Sequence, residues 1–470
     1  MAAAGRAVVI GASIGGLLAA RALSETCAEV VLLDRDRLPA GPAARGGVPV
    51  GYAARRGVPQ GRQLHVLLAR GRQVLEELFP GLGAELSRRG APAVDLHGEV
   101  HWYNDGHRMR RAPSTLHAFG MSRPLLEDAV RERVAALAGV RIVTEVEVTG
   151  LTATDDHRRV TGVRTRLGDG AVGTLAADLV VDTGGRGSRS PLWLTELGYR
   201  PAAEERVDVG VTYVTRSYRR EPGQLDGLLG ALANAMPGQP RGGIVAPQEG
   251  DRFAVALSGM LGEQPPTDDR GMAAFAAALP APQIAELLRT ATPAGEPARM
   301  RFPASVRRRY ERLRRFPAGY LVMGDALCSF NPVYGQGMTV AALEAHLLGT
   351  LLRRGDDRLA RRFFRRAARV IDGPWSISVG TDLRFPGVTG RRTPAVRFVN
   401  AYVNRLHAAA TADPALGAAF LRVLNLIDPP ARLLAPGVAL RVLRGARPAP
   451  TVAPAGTADG QRPSASSMAR

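Results

Sequence analysis

The run Arg6-Ala-Val-Val-Ile10, followed without a gap by Gly11-Ala-Ser-Ile-Gly15-Gly16 and then by Val30-Val-Leu-Leu-Asp34, decides how the rest of the chain is read. The first run is a short apolar segment of the kind buried on both faces of a parallel sheet. The glycines open a helix whose apolar positions, Leu17, Leu18, Ala20, Ala22 and Leu23, continue to about Glu25. Residues 30–33 give a second buried strand that closes on an acid, so the unit is β-α-β. Gly11 permits the tight turn, Gly16 lets helix and strand pack closely, and the backbone N–H groups freed at the helix start can hold a pyrophosphate. Asp34 lies roughly 20 residues past the turn, where a carboxylate accepts from ribose hydroxyls. The middle glycine of a G-x-G-x-x-G pattern is Ser13 here, whose Cβ narrows the approach of a phosphate while its hydroxyl can donate to one. Strand, glycines, helix, second strand and terminal acid in register point to a dinucleotide; the alternative is a glycine-lined turn in another α/β protein.

Length and composition bound what surrounds this unit. A chain of 470 residues with 45% hydrophobic content is globular, and at this size usually divides into two or three domains. No stretch approaches the ~18 consecutive apolar residues of a membrane span. The N-terminus enters the first strand directly, so no signal peptide is expected and a cytoplasmic location follows. Cys27 and Cys328 cannot make a disulfide framework or a metal site and are expected to pack as small apolar groups. The net charge of +19 raises nucleic acid as a partner. All 62 basic residues are arginine, however, and basic runs such as 307–309 and 361–362 lack interleaved aromatics. No nucleic-acid partner is expected, and an anionic small molecule stays open.

Taken in order, the chain next shows a near-duplication, Ala43-Ala-Arg-Gly-Gly-Val-Pro49 against Ala53-Ala-Arg-Arg-Gly-Val-Pro59, read as a tandem insertion in a loop. A helix is expected over 63–79, with His65 on its first turn as a packing or capping residue. Residues 94–121 read as strands, with Asn104-Asp-Gly106 as a hairpin turn. Ser122 caps a helix with Pro124 in its first turn and Glu127 and Asp128 complementing its dipole. Arg123 opposes that dipole, which calls for an anion beside it. Strands are expected over 140–149, 159–167 and 172–176. Residues 178–182 return to the parallel sheet and end in Thr183-Gly-Gly-Arg-Gly-Ser188, a second place of close backbone approach.

From 207 to about 316 the runs 209–218, 243–247 and 253–260 suggest a separate antiparallel sheet, one face of it a substrate wall, decorated by helices near 271–279 and 283–289. Residues 320–323 revert to a buried strand closing on Gly324-Asp325, and Asn331-Pro-Val-Tyr-Gly-Gln-Gly337-Met338 opens a helix to about 352. An acid at a strand end and a glycine turn at a helix start repeat the logic of the N-terminus. Two such sites on one sheet suggest a long, extended cofactor. Helices at 396–411 and 415–426 follow, expected to pack on the body, with a dimer contact or a membrane surface as alternatives. Residues 446–470, rich in Pro, Ala, Ser and Gly, read as a disordered tail.

Together, the glycine turn 11–16, Asp34, Ser122-Arg123-Pro-Leu-Leu126, and Gly324-Asp325 with Asn331-Pro332 through Gly337-Met338 resemble the FAD-dependent monooxygenases of the aromatic-hydroxylase fold, over nearly the whole chain to about residue 385. Residues 55–60, 182–187 and 330–335 look like the branch that contains polyether-type polyene epoxidases. The resemblance implies an α/β fold: a Rossmann-like FAD-binding domain with an inserted antiparallel β-sheet substrate domain and a C-terminal helical region. Its divisions would be 1–206 for the FAD domain, with part of the substrate domain near 90–122; 207–316 for the substrate sheet; 317–385 for the return to the FAD domain; 386–445 for the helical region; and 446–470 for the tail.

Carried over by position, Gly11, Ser13, Ile14, Gly15 and Gly16 would meet the FAD pyrophosphate, and Asp34 with Arg35 the adenosine ribose. Arg123 would approach the pyrophosphate, supplying the anion called for above, and the strand at Glu147 and Val148 would border the adenine. Gly324 and Asp325 would bind the ribityl chain, and Pro332, Gly335, Gly337 and Met338 would line the isoalloxazine ring. In such enzymes reduced flavin adds O₂ as a C4a-hydroperoxide and the cofactor carries the oxygen transfer, so no side-chain nucleophile is needed. The expected occupants are FAD, molecular oxygen and a small apolar substrate, polyketide- or isoprenoid-like. Aromatic hydroxylases usually carry Asp-Gly after the strand matching 178–182, whereas this chain has Gly184-Gly185. Electrons from NADPH or NADH would then come directly or through a separate flavin reductase. The alternatives are a flavin-dependent reductase or dehydrogenase on the same fold, and a flavin-fold binding protein without chemistry.

Overall fold

The protein is seen here as a computed structural model that describes residues 4–38, 44–45, 48–49, 54–355 and 358–445. The expected tail lies outside the described residues, as do residues 43, 46 and 47 of the first copy of the near-duplication and 53 of the second.

Five parallel strands form the central sheet in the order Val140–Val143, Cys27–Leu33, Ala4–Ile10, Leu179–Asp182 and Tyr320–Val322. Numbered along the chain this is 3-2-1-4-5, a doubly wound order whose direction reverses beside Ala4–Ile10, and ligands of such sheets bind at the carboxyl ends of the strands by that switch point. The strands are continuous apolar runs because both faces are covered: Ala7, Val8, Val9, Leu32, Val180 and Val181 are fully buried. Leu17, Leu18 and Leu23 of the helix Ile14–Leu23 share one core with Val340, Ala345 and Leu348 of Gly337–Arg353 and with Leu125, Leu126 and Val130 of Arg123–Ala135.

The single strand expected over 140–149 is two. Glu145 takes a positive φ of 59° and turns the chain, so Val140–Val143 extends the parallel sheet while Val146–Ala153 begins an antiparallel meander with Val160–Leu167 and Val172–Ala176. The helix expected from residue 63 begins only at Ala69. Val66–Leu67 is instead a short strand paired with Phe119 and Gly120, because the apolar run 64–68 feeds a three-stranded edge sheet completed by Ala93–Asp95.

A second, eight-stranded sheet runs Cys328–Ser329, Ala298–Arg308, Glu204–Arg219, Arg252–Gly259, Arg241–Gln248, Gly230–Ala233, Val100–Asn104 and His107–Arg108. It is antiparallel, as expected, except that Gly230–Ala233 pairs parallel with Val100–Asn104. Asp105 and Gly106 form the foreseen two-residue hairpin, with φ of 51° and 77° and Tyr103 opposite Arg108. The strand Ala298–Arg308 was not foreseen; its Pro303 falls where the register with Asp208 and Val211 slips, the bulge that lets proline sit in a sheet. The helices Asp269–Ala277 and Pro282–Thr290 cover one face, packing Met272, Phe275 and Ile284 on Val214, Val255 and Leu257.

The chain ends in helices Leu359–Asp382, Pro394–Ala409, Pro414–Leu424 and Pro436–Gly445. The last three start on proline, whose fixed φ suits a first turn, and the side chains of Thr393 and Asp413 cap two of them. Leu406, Ala409, Leu416, Leu421 and Val442 bury against Val100, Trp102 and Met109, so these helices pack on the body at the far strands of the second sheet. Among the described residues no helix is long and apolar enough to cross a membrane.

Candidate functional site

The loops at the carboxyl ends of the parallel strands meet on one side of the switch point. Gly11 holds φ +94°, and Thr183 Oγ1 donates to the carbonyls of Ile10 and Gly11, tying the first turn to the end of Leu179–Asp182. A Cβ on Gly16 would stand 1.7 Å from the Gly11 carbonyl oxygen, so the third glycine serves the close packing of helix on turn. Ser13 Oγ donates to Glu127 and accepts from Arg123 Nη2 at 3.0 Å.

Asp34 is almost buried and heavily bonded. Its Oδ2 accepts from Ala12 N at 2.7 Å, its Oδ1 from Asp36 N at 2.9 Å, and both oxygens lie 3.0 Å from Arg55 Nη1. Arg55 also reaches Asp36 and Glu127. Arg123 Nε donates to Glu127 at 2.9 Å, so the anion its position called for is the carboxylate one turn along its own helix. Burial pushes Glu127 up, but Arg123, Arg55 and Ser13 outweigh it and hold the carboxyl below its ordinary value. Two guanidiniums thus face three carboxylates, Arg55 with Asp34, Asp36 and Glu127 and Arg123 with Glu127.

The other end of the site is built on Gly324 and Asp325 after Tyr320–Val322. Gly324 takes φ +66°, with nothing within 4 Å of a Cβ placed there, and its N–H is held by the buried Glu344. Burial raises the Asp325 pKa, opposed by the charges of Arg123 and Arg186, which puts Arg123 within electrostatic reach of both acidic turns. Pro332–Tyr334 forms one helical turn capped by Asn331 Oδ1, and Gly335 closes it at φ +66°. Asp382 accepts from Asn331 Nδ2 at 3.0 Å and from Tyr334 OH at 2.8 Å, fixing that turn; burial lifts its pKa to about 6 against those bonds.

One cavity of about 1560 Å³ joins these parts. Gly11, Ser13, Ile14, Gly15, Asp34 and Arg35 line one end, Arg123 and Val148 flank it, and Gly324, Asp325, Pro332, Gly335, Gly337 and Met338 line the continuation. Gly16, of the residues singled out from the sequence, is not in the wall. The cavity's remaining wall comes from the eight-stranded sheet, through Trp102, Tyr213 and Met300, and from the C-terminal helices, through Ile377, Val399 and Phe420. His65 lines it from a loop, not a helix; its Nδ1 lies 2.9 Å from Gln63 O, and burial, with the charge of Arg123, pushes its pKa down to about 4. Buried polar atoms along the wall lack partners among the described residues: Arg55 Nη2, Gln63 Oε1 and both amide atoms of Gln336. Arg55 and Asp382 were not singled out individually in the sequence, because their partners come from distant segments, nor was Gln336, whose amide has no partner among the described residues; Glu127 was expected only to complement its helix dipole.

Protein Rv3254 of Mycobacterium tuberculosis (strain ATCC 25618 / H37Rv) is 38% identical to this chain over 447 residues, 90% of each. The chain belongs to the family of that mycobacterial protein. No family model matches it. Solved structures that share the fold include a flavoprotein/dehydrogenase from Cytophaga hutchinsonii, with TM-score 0.65 at 15% identity over 94% of this chain and 99% of that one. The flavin-dependent brominase Bmp2 follows at 0.62 and 15%, over 89% and 92%. PqsL, a probable FAD-dependent monooxygenase from Pseudomonas aeruginosa, gives 0.58 at 20%, over 81% and 97%. At these identities the likeness is one of fold: parallel sheet, second sheet and C-terminal helices are arranged as in these three proteins.

Proposed function

We propose that this chain is an FAD-dependent monooxygenase that epoxidises or hydroxylates a largely apolar secondary-metabolite substrate, polyketide- or isoprenoid-like. The observation that carries the reading is one cavity lined by the Asp34 turn, by the Asp325 and Pro332–Met338 turns, and by apolar side chains of the second sheet and the C-terminal helices. Its residues fit FAD. Positive-φ glycines at Gly11, Gly324 and Gly335 keep Cβ atoms out of the cradle, and the unpartnered atoms of Arg55 and Gln336 are donors and acceptors suited to a polar cofactor.

Asp34 with Arg35 would hold the adenosine ribose, Val148 border the adenine, and Ser13, Ile14, Gly15 and Arg123 bind the pyrophosphate. Asp325 would take the ribityl chain, and Pro332, Gly335, Gly337 and Met338 the ring system. Bound and reduced, the flavin would supply activation of molecular oxygen. The protein does the rest. The start of the helix Gly337–Arg353 would offer partial positive charge to a ring held by Pro332, Gly335, Gly337 and Met338. Asp382 locks the Asn331–Tyr334 turn, and the apolar chamber excludes water while holding the substrate in reach. The polyene-epoxidase likeness of residues 55–60, 182–187 and 330–335 favours an alkene as the acceptor. Gly184-Gly185 favours electron delivery from NADPH or NADH through a separate flavin reductase.

Reconstitution tests this reading. The purified protein is expected to be yellow or to take up FAD stoichiometrically, and a colourless protein that binds none would sink the proposal. Oxygen consumption should accompany product formation; turnover without oxygen would favour the dehydrogenase reading instead.

A further inference from the structure

The helical end of the cavity holds a polar cluster that cofactor binding leaves unused. Asp105, in the hairpin turn after Val100–Asn104, lies 2.7 Å from His407 Nδ1 through Oδ2 and accepts from the Arg384 guanidinium through Oδ1. All three side chains line the cavity. His407, on the helix Pro394–Ala409, is 6% exposed, and its second ring nitrogen, Nε2, is buried without a hydrogen-bond partner among the described residues. Phe420 stands edge-on to the imidazole at 4.7 Å between ring centres, and Val399, Tyr402 and Leu433 make the surrounding wall apolar.

Chemistry fixes the polarity of this ring. Burial pushes Asp105 up, but His407 and Arg384 outweigh it and keep the carboxylate ionised. An ionised carboxylate accepts, so the imidazole proton sits on Nδ1 and the lone pair is left on Nε2. Burial also holds the imidazole neutral, its pKa below the ordinary value despite Asp105. What remains is a buried acceptor with no donor among the described residues.

We propose that His407 Nε2 is a recognition point that accepts a hydrogen bond from a hydroxyl on an otherwise apolar substrate, so that the substrate is a phenol, enol or alcohol and not a bare hydrocarbon. The inference rests on reading the chamber as the substrate's. His407 touches the occupant; Asp105 and Arg384 act through it as positioning residues. Asp105→Asn inverts the subsite while keeping its shape: Arg384 retains the amide oxygen, the amide N–H₂ turns to Nδ1, and the ring proton moves to Nε2, which then donates.

The purified full chain is titrated calorimetrically with 2-naphthol and its near-isostere 2-methylnaphthalene, with flavin content and thermal midpoint recorded alongside. The expected result is a preference of about tenfold or more for the naphthol, falling to near unity in His407→Phe and diminished in Asp105→Asn, whose Nε2–H can give only the weaker bond to the phenol oxygen. Equal affinities in the parent protein, no binding of either compound, or a preference that survives in both variants overturns the proposal. Flavin content reports separately on the cofactor reading. A protein that binds no added FAD yet still prefers the naphthol would refute oxygenation and leave the subsite standing, and a flavin-loaded protein without the preference would do the reverse.

Discussion

Glu344 Oε2 accepts a 2.6 Å hydrogen bond from the backbone N–H of Gly324, and its Oε1 has no partner among the described residues. The fully buried carboxyl thus sits directly behind the turn that carries Asp325. Burial pushes its pKa up to about 8, with the Asp325 charge adding to this and the Gly324 bond opposing it. In the folded protein it keeps a proton that the unfolded chain gives up above about 4.5, its ordinary value. Its contribution to stability is therefore full below that pH and is lost as pH rises toward about 8.

Glu344→Gln preserves the acceptor for Gly324 and cannot ionise. Urea midpoints measured at pH 5 and pH 9 should fall with pH in the parent protein by more than in the variant, the difference amounting to a few kcal/mol. Parallel profiles for the two proteins would refute a protonated Glu344. Asp382, raised to about 6, gives a smaller loss of the same sign between its ordinary value near 3.8 and 6.

Neighbouring glycines should differ sharply. Gly16→Ala drives a methyl into the Gly11 carbonyl, whereas a Cβ on Gly15 meets Thr183 Cβ at an ordinary 3.8 Å. The first substitution is expected to cost about 3 kcal/mol or more, or to leave no folded protein, and the second about 1 kcal/mol or less in thermal or urea unfolding. Similar losses for both would mean that the helix does not approach the turn as closely as described.

Asp325→Ala removes a carboxyl that burial already disfavours as an anion, so the fold should be retained. Flavin-to-protein ratio after gel filtration should nonetheless drop, with FAD affinity weakened roughly tenfold or more by the lost charge-assisted hydrogen bonds. Unchanged occupancy would count against the ribityl assignment.

Reduction offers a fourth check. The Asp182 carboxylate is occupied by Gly184 N, Ser188 Oγ and Ser190 Oγ, and Gly184-Gly185 place no further acid there. Mixed anaerobically with NADPH, the flavin-loaded protein should bleach slowly, and adding a flavin reductase should speed the bleaching. Rapid bleaching by NADPH alone would show that the missing acid is dispensable.

The β-α-β unit was legible because burial on both faces forces an unbroken apolar run, and the second turn because a buried strand again ended in an acid beside glycines. The Ala298–Arg308 strand hid behind alternating arginines and Pro303, and the helix Leu359–Asp382 behind Pro374, a residue that usually ends a helix but here lies buried inside one. Residues 63–68 mimicked helical spacing until an edge strand at 119–120 claimed two of them. Arg123 and Asp34 could be placed individually, and Glu127 lies on Arg123's own helix, yet Arg55, which reaches both Asp34 and Glu127, could not, since its loop meets them only in three dimensions. His407 and Asp105, 302 residues apart, leave no local signature at all.

The acid-tipped turns and the chamber's far wall are drawn from different stretches of chain, the latter from helices beyond residue 375 seated on the outer strands of the second sheet. Substitutions beyond Asp382 can therefore remodel that wall, changing which molecule fits, while the two turns stay untouched. Exchanging these terminal helices between relatives is the natural route to retargeting the scaffold.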